Sequence, residues 1–146
     1  MVVLVTAILV GLVAPRLGHA PAADPAHQID RLTALLDAWC NRAVIQGSAL
    51  GVKFESGGYG FRVPAEDESA WMPAPASGTF RPRSWAPSLK PRLLIEGRPV
   101  ALDGRQPQIT CHASGEMTPF AFELAVGNRR ARLQASFDGK LRVGGE

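Results

Sequence analysis

With 146 residues, the chain has room for one ordinary domain and little more. Hydrophobic residues at 46% and charged residues at 20% exclude wholesale disorder and coiled coil. Sixteen Lys and Arg against thirteen Asp and Glu leave +3, too mild a balance to identify a nucleic-acid partner.

The first fourteen residues, MVVLVTAILVGLVA, carry no charge and one polar residue, Thr6. As a helix they span about 21 Å, short of the roughly 30 Å of a bilayer core. One reading is a membrane or filament-core helix over Val2, Val3, Leu4, Val5, Ile8, Leu9, Val10, Leu12 and Val13, with its first turns missing. Another is a secretory signal peptide, with Gly18-His19-Ala20 offering small residues for a cut after Ala20. No Lys or Arg precedes the apolar run, which counts against that second reading. A buried core helix is a third and weaker reading, because an all-apolar helix needs a partner layer on every side. Both leading readings send the rest of the chain across a membrane.

Asp24-Pro25 predicts a helix start, with Asp as cap acceptor and Pro at the first helical position. Apolar residues at Ile29, Leu32, Leu36, Trp39 and Ala43 follow at intervals of three or four, predicting an amphipathic helix to about Gln46. Gly47-Ser48 ends it. The period then changes to two. Residues 49–55 and 59–63 predict a hairpin turned by Ser56-Gly57-Gly58. Residues 64–91 show no period and many prolines, which predicts a long irregular connection over the sheet. Trp71 and Trp85 are its predicted anchors, since a large ring can pin a loose loop. Residues 92–100 and 108–113 predict further strands. Phe120, Phe122, Leu124 and Val126 alternate with Ala121, Glu123 and Ala125; after Gly127-Asn128, Ala131, Leu133, Ala135 and Phe137 alternate with polar residues. Asp138-Gly139 is a strong hairpin signal, with Leu141 and Val143 continuing the apolar face. The expected fold class is α+β: a helix over residues 1–46, apolar over 1–14 and amphipathic over 24–46, packed on an antiparallel β-domain over 47–146.

The chemistry-bearing residues form no credible active site. Cys40 and Cys111 are the only cysteines. An exported domain permits a bridge between them, yet both also fit as small core hydrophobes. Two cysteines with scattered His19, His27 and His112 make no zinc spacing. Gly57-Gly58-Tyr59-Gly60 lacks the Lys and hydroxyl of a phosphate loop, and Ser114-Gly115-Glu116 reads as a turn. No catalytic, metal or cofactor-binding residue is assigned, and no cofactor is implied. Charge is uneven: residues 1–80 hold five basic and seven acidic groups, residues 81–146 eleven and six. Arg129, Arg130 and Arg132 read either as a basic hairpin tip that meets acidic partners, or as the solvated face of an edge strand.

Taken together, an uninterrupted apolar helix, an amphipathic continuation and a carboxyl β-domain resemble the type IV pilin-like proteins. Within them the chain is similar to the H-type minor pseudopilins of type II secretion systems and to minor pilins of the FimT and FimU kind. The likeness rests on ITCHASGEMTPFAFEL (Ile109 to Leu124), ARLQASFDGKLRV (Ala131 to Val143), and the run from Arg42 to Arg62 with its GGYGFR turn. Family members begin with a short basic leader and Gly-Phe-Thr-Leu-Ile-Glu; this resemblance implies that the natural start precedes Met1. It implies a structural subunit rather than an enzyme, anchored in the inner membrane with its β-domain in the periplasm. A prepilin peptidase would process the full-length precursor. The implied partners are other minor pseudopilins and the major pseudopilin. Trp71 and Trp85 within residues 70–91, with Arg129, Arg130 and Arg132, form the candidate contact surface. A type IV pilus subunit, binding DNA through its basic carboxyl half, is the alternative; a secreted β-domain cleaved after Ala20 is the second.

Overall fold

The computed structural model of the protein describes residues 21–145. The predicted membrane or filament-core helix (Val2 to Val13) and the cut after Ala20 lie outside the described residues. Among the described residues, no helix is long and apolar enough to cross a membrane.

A 3-10 turn, Pro21–Ala23, leads into α1, Pro25–Gln46. Asp24 caps it in an extended conformation, its Oδ1 accepting from the Ala26 N–H at 3.1 Å, and Pro25 supplies a first-turn residue that needs no acceptor. The helix stops at Gly47, whose φ of +65° lies in the left-handed region that glycine enters without a Cβ penalty. The predicted stripe is the buried face: Ile29, Leu32, Leu36 and Ala43 are wholly buried and Trp39 nearly so.

Among the described residues, ten strands follow, all paired antiparallel and divided between two sheets. In the first sheet, β1 (Leu50–Glu55) pairs with β2 (Gly58–Pro64) and, on its other edge, with β7 (Ile109–Cys111). Two short strands, β3 (Trp71–Pro73) and β4 (Arg83–Ser84), both lie on the outer edge of β2. The second sheet runs in the order β10 (Leu141–Gly145), β9 (Arg129–Ala135), β8 (Phe120–Val126), β5 (Lys90–Ile95), β6 (Arg98–Val100). The inner faces of the sheets meet in the core, where Phe54 of β1 stacks on Phe122 of β8 with ring centroids 4.4 Å apart. Helix α1 touches β8, β9 and β10 of one sheet and β1 and β7 of the other.

Several strand expectations change. The single strand predicted over 92–100 is a hairpin of β5 and β6, folded at Glu96-Gly97 with φ of +54° and +75°. Positive φ at both central residues suits a tight hairpin turn, and Glu is an uncommon occupant there. The connection over 64–91 is not wholly irregular, because β3 and β4 extend the first sheet within it. Strand β9 lies between β10 and β8, so its arginines do not protect a sheet edge. Phe137 and Val143 alternate with the core positions yet are 58% and 51% exposed, since one sits in the final turn and the other on the edge strand.

Candidate assembly surfaces

The entry of the chain into α1 is held from two sides. Asp24 Oδ1, besides capping the helix, accepts from Arg129 Nη2 at 3.0 Å. Two residues earlier, the Ala22 carbonyl accepts from the Ala86 N–H at 2.7 Å. One contact comes from the start of β9 and the other from the segment that leads into β5.

Of the three predicted arginines, Arg130 and Arg132 stay exposed on one face of β9 and Arg129 leaves them. Arg129 turns to the Asp24 cap, half-exposed and 105 residues away in sequence. Arg132 Nη1 pairs with Glu123 Oε1 across the β8–β9 ladder at 3.2 Å. Arg130 is exposed. The tryptophans divide as well. Trp85 is only 4% exposed, its Nε1 donates to the Ser56 carbonyl at 3.0 Å, and its ring lies against Tyr59 and Phe122. It is an anchor and not a contact residue, because a ring buried in the core cannot meet a partner. Trp71 is half-buried on β3, its ring close over Gly51.

Cys40 and Cys111 form a disulfide, with Cα atoms 5.2 Å apart. Of the two readings left open by the sequence, the bridge ties α1 to β7. The spatial neighbourhood of the two residues was invisible because 71 positions separate them.

Sequence reasoning missed three features here. Arg42 lies over Trp39 and Phe80, its guanidinium 5.9 and 5.6 Å from their ring centroids, so a cation pins the proline-rich connection to α1. Val44 and Ile45, off the buried stripe, are 48% and 84% exposed at the end of α1. Burial pushes the Tyr59 hydroxyl up to about 12, against the nearby Arg83 and Arg31 charges that pull it down. Among the described residues, no group of three His, Cys, Asp or Glu is placed to hold a metal.

A helix capped and clamped onto two facing antiparallel sheets, entered from an apolar amino-terminal run, defines a pilin-like α+β subunit. No family model matches the chain. It is 26% identical over 152 residues to type II secretion system protein H of Pseudomonas aeruginosa, covering 95% of this chain and 86% of that one. Type II secretion system protein H of Escherichia coli is 30% identical over 99 residues, covering 65% of this chain and 56% of that one. In fold it is similar to the solution structure of E. coli GspH, with a TM-score of 0.63, 26% identity, and 80% and 84% of the two chains covered. The minor pseudopilin EpsH from the type 2 secretion system of Vibrio cholerae shares the fold, with a TM-score of 0.65, 18% identity, and 80% and 94% covered. Likeness in sequence and in fold together supports a minor pseudopilin H of a type II secretion system.

Proposed function

We propose that the chain is a structural minor pseudopilin. Its amino-terminal helix inserts it into the periplasmic pseudopilus that drives protein export, at the tip or initiation complex. The observation that carries this reading is likeness to protein H along 95% of the chain, joined to a β-domain clamped on the helix that follows the apolar run in sequence. Before assembly the subunit sits in the inner membrane by its apolar run, with the β-domain in the periplasm; a prepilin peptidase acts on its full-length precursor. On extraction, the apolar helix exchanges lipid for the helices of the major and the other minor pseudopilins, a packing process that calls on no cofactor. The disulfide and the Asp24–Arg129 pair let the β-domain travel with its helix as one body.

The DNA-binding pilus reading runs through the basic carboxyl half, with Arg129, Arg130 and Arg132 as the residues that would test it. Two of the three are engaged with Asp24 and Glu123, which weakens it.

Deletion of the gene is expected to stop export by the type II pathway. The wild-type gene should restore export, and a version with Val5→Asp in the apolar run should not. The wild-type protein should co-purify with the other minor pseudopilins from membranes. Unaffected export, with a soluble periplasmic product beginning at Pro21, would overturn the proposal in favour of a secreted β-domain.

A further inference from the structure

The outer face of the second sheet has an unusual charge arrangement. Its central strand, β8, presents only Ala121, Glu123 and Ala125 outward, while Phe120, Phe122 and Leu124 point to the core. The flanking strands raise long cations on either side. Lys90 of β5 and Arg130 of β9 stand opposite each other across Ala125; Arg92 and Arg132 do the same across Glu123. All four are exposed. Arg142 of β10 extends the basic wall beside Gln134. The result is a trough floored by Ala121 and Ala125 with Glu123 between them, its walls two strand spacings, about 10 Å, apart.

Three observations say that this is more than a solvated surface. Only Arg132 has an acidic partner, Glu123; among the described residues, Lys90, Arg92 and Arg130 have none. Lys90, Arg92, Arg130 and Arg132 stand on interior strands, where charge has no edge to protect. The two alanines leave room for another chain beside β8 on either side of the Glu123–Arg132 pair.

The walls call for an anionic occupant, and the floor selects among anions. Single-stranded nucleic acid is held by aromatic rings on which bases stack, and none projects from this face. Glu123, in the middle of the trough, and Glu96, at its β5–β6 end, would repel a continuous line of phosphates. A polypeptide can place its carboxylates beside the arginines and its small residues beside Glu123. We propose that this trough docks an acidic, extended segment of a neighbouring protein subunit, its carboxylates pairing with Lys90, Arg92 and Arg130. The identity of that partner rests on the assembly reading; the chemistry of the trough does not.

The test uses the full chain in mild detergent and a fluorescent peptide of about a dozen alternating Glu and Ala residues, followed by anisotropy. Saturable binding that weakens with salt is expected. The pair R92E/R130E should weaken it about tenfold or more, while R31E/R105E, reversing two exposed cations elsewhere, should leave it within about twofold. Melting curves matching wild type show that both variants are folded. No binding, an equal loss in both variants, or tighter binding of duplex DNA than of the peptide would overturn the proposal. Export measured with the same variants keeps the readings apart. Failure of the peptide with assembly intact sinks the trough alone; peptide binding in a protein that never assembles sinks the filament reading.

Discussion

Tyr59 is the chain's only tyrosine, and its hydroxyl is buried with no hydrogen-bond partner among the described residues. Its ring belongs to the core, within 6.4 Å of Phe54, 5.9 Å of Phe61 and 5.7 Å of Trp85, so the aromatic body is stabilising while the oxygen is not. An unpaired buried hydroxyl loses its water and gains nothing in exchange. Tyr59→Phe is therefore expected to leave stability unchanged or to raise it by about 1 kcal/mol, measured by denaturation at pH 7. Alkali separates the two proteins further. With the folded hydroxyl at about 12 and the unfolded one at 10.0, folding is indifferent to this group below pH 10. Between 10 and 12 the unfolded chain loses the proton first, so stability falls as pH rises, by about 1.4 kcal/mol per unit. Tyr59→Phe should lack that component, and a parallel decline in both proteins would show that the hydroxyl is not the cause. Nothing local announces this residue: Gly57-Gly58-Tyr59-Gly60 reads as a hairpin, and the burial comes from Trp85 arriving from a distant segment. Arg129 is illegible for the same reason, its partner lying 105 residues away.

At the scale of elements, legibility follows the range of the forces that set each one. Helix α1 is encoded within itself, through Asp24-Pro25, the apolar stripe and Gly47, and its bounds match the sequence expectation. The β8–β9 hairpin is likewise local, with alternation broken at Gly127-Asn128. The proline-rich connection is different: β3 and β4 become strands only because β2 offers a free edge for them to pair with. Its two tryptophans have the same chemistry and different fates, which composition does not reveal. Trp85→Ala should cost about 3–5 kcal/mol, because it empties a core site and leaves the Ser56 carbonyl without its donor. Trp71→Ala, on a half-buried ring, should cost distinctly less. Urea titration of the two variants reads the difference. Equal losses would mean that residues 83–85 are not the pin that holds this connection to the sheet.

For the molecule as a whole, the central question is whether the helix and the sheets are one mechanical unit, since an assembling subunit must carry its β-domain with its helix. Four independent ties join them: the stripe from Ile29 to Ala43 in the shared core, the Asp24–Arg129 pair, the Ala22–Ala86 hydrogen bond and the Cys40–Cys111 bridge. The stripe is the largest, because stripping α1 away would expose five residues that are now almost wholly buried, along with the faces of both sheets they cover. That argues for a single cooperative transition without the bridge as well as with it. Closing a loop of 71 residues lowers the entropy of the unfolded chain, so reduction, or Cys40→Ala with Cys111→Ala, should cost about 4 kcal/mol in the chain-entropy account. The three tryptophans make the test direct, since Trp39 reports on α1, Trp71 on the first sheet and Trp85 on the core between the sheets. Thermal melts of oxidised and reduced protein, followed by helical circular dichroism and by tryptophan fluorescence, should coincide within each redox state and shift together to lower temperature on reduction. If the helical signal of the reduced protein is lost first, while the fluorescence of Trp71 and Trp85 persists, the bridge alone holds helix to sheet, and the packed stripe is a weaker joint than its burial indicates.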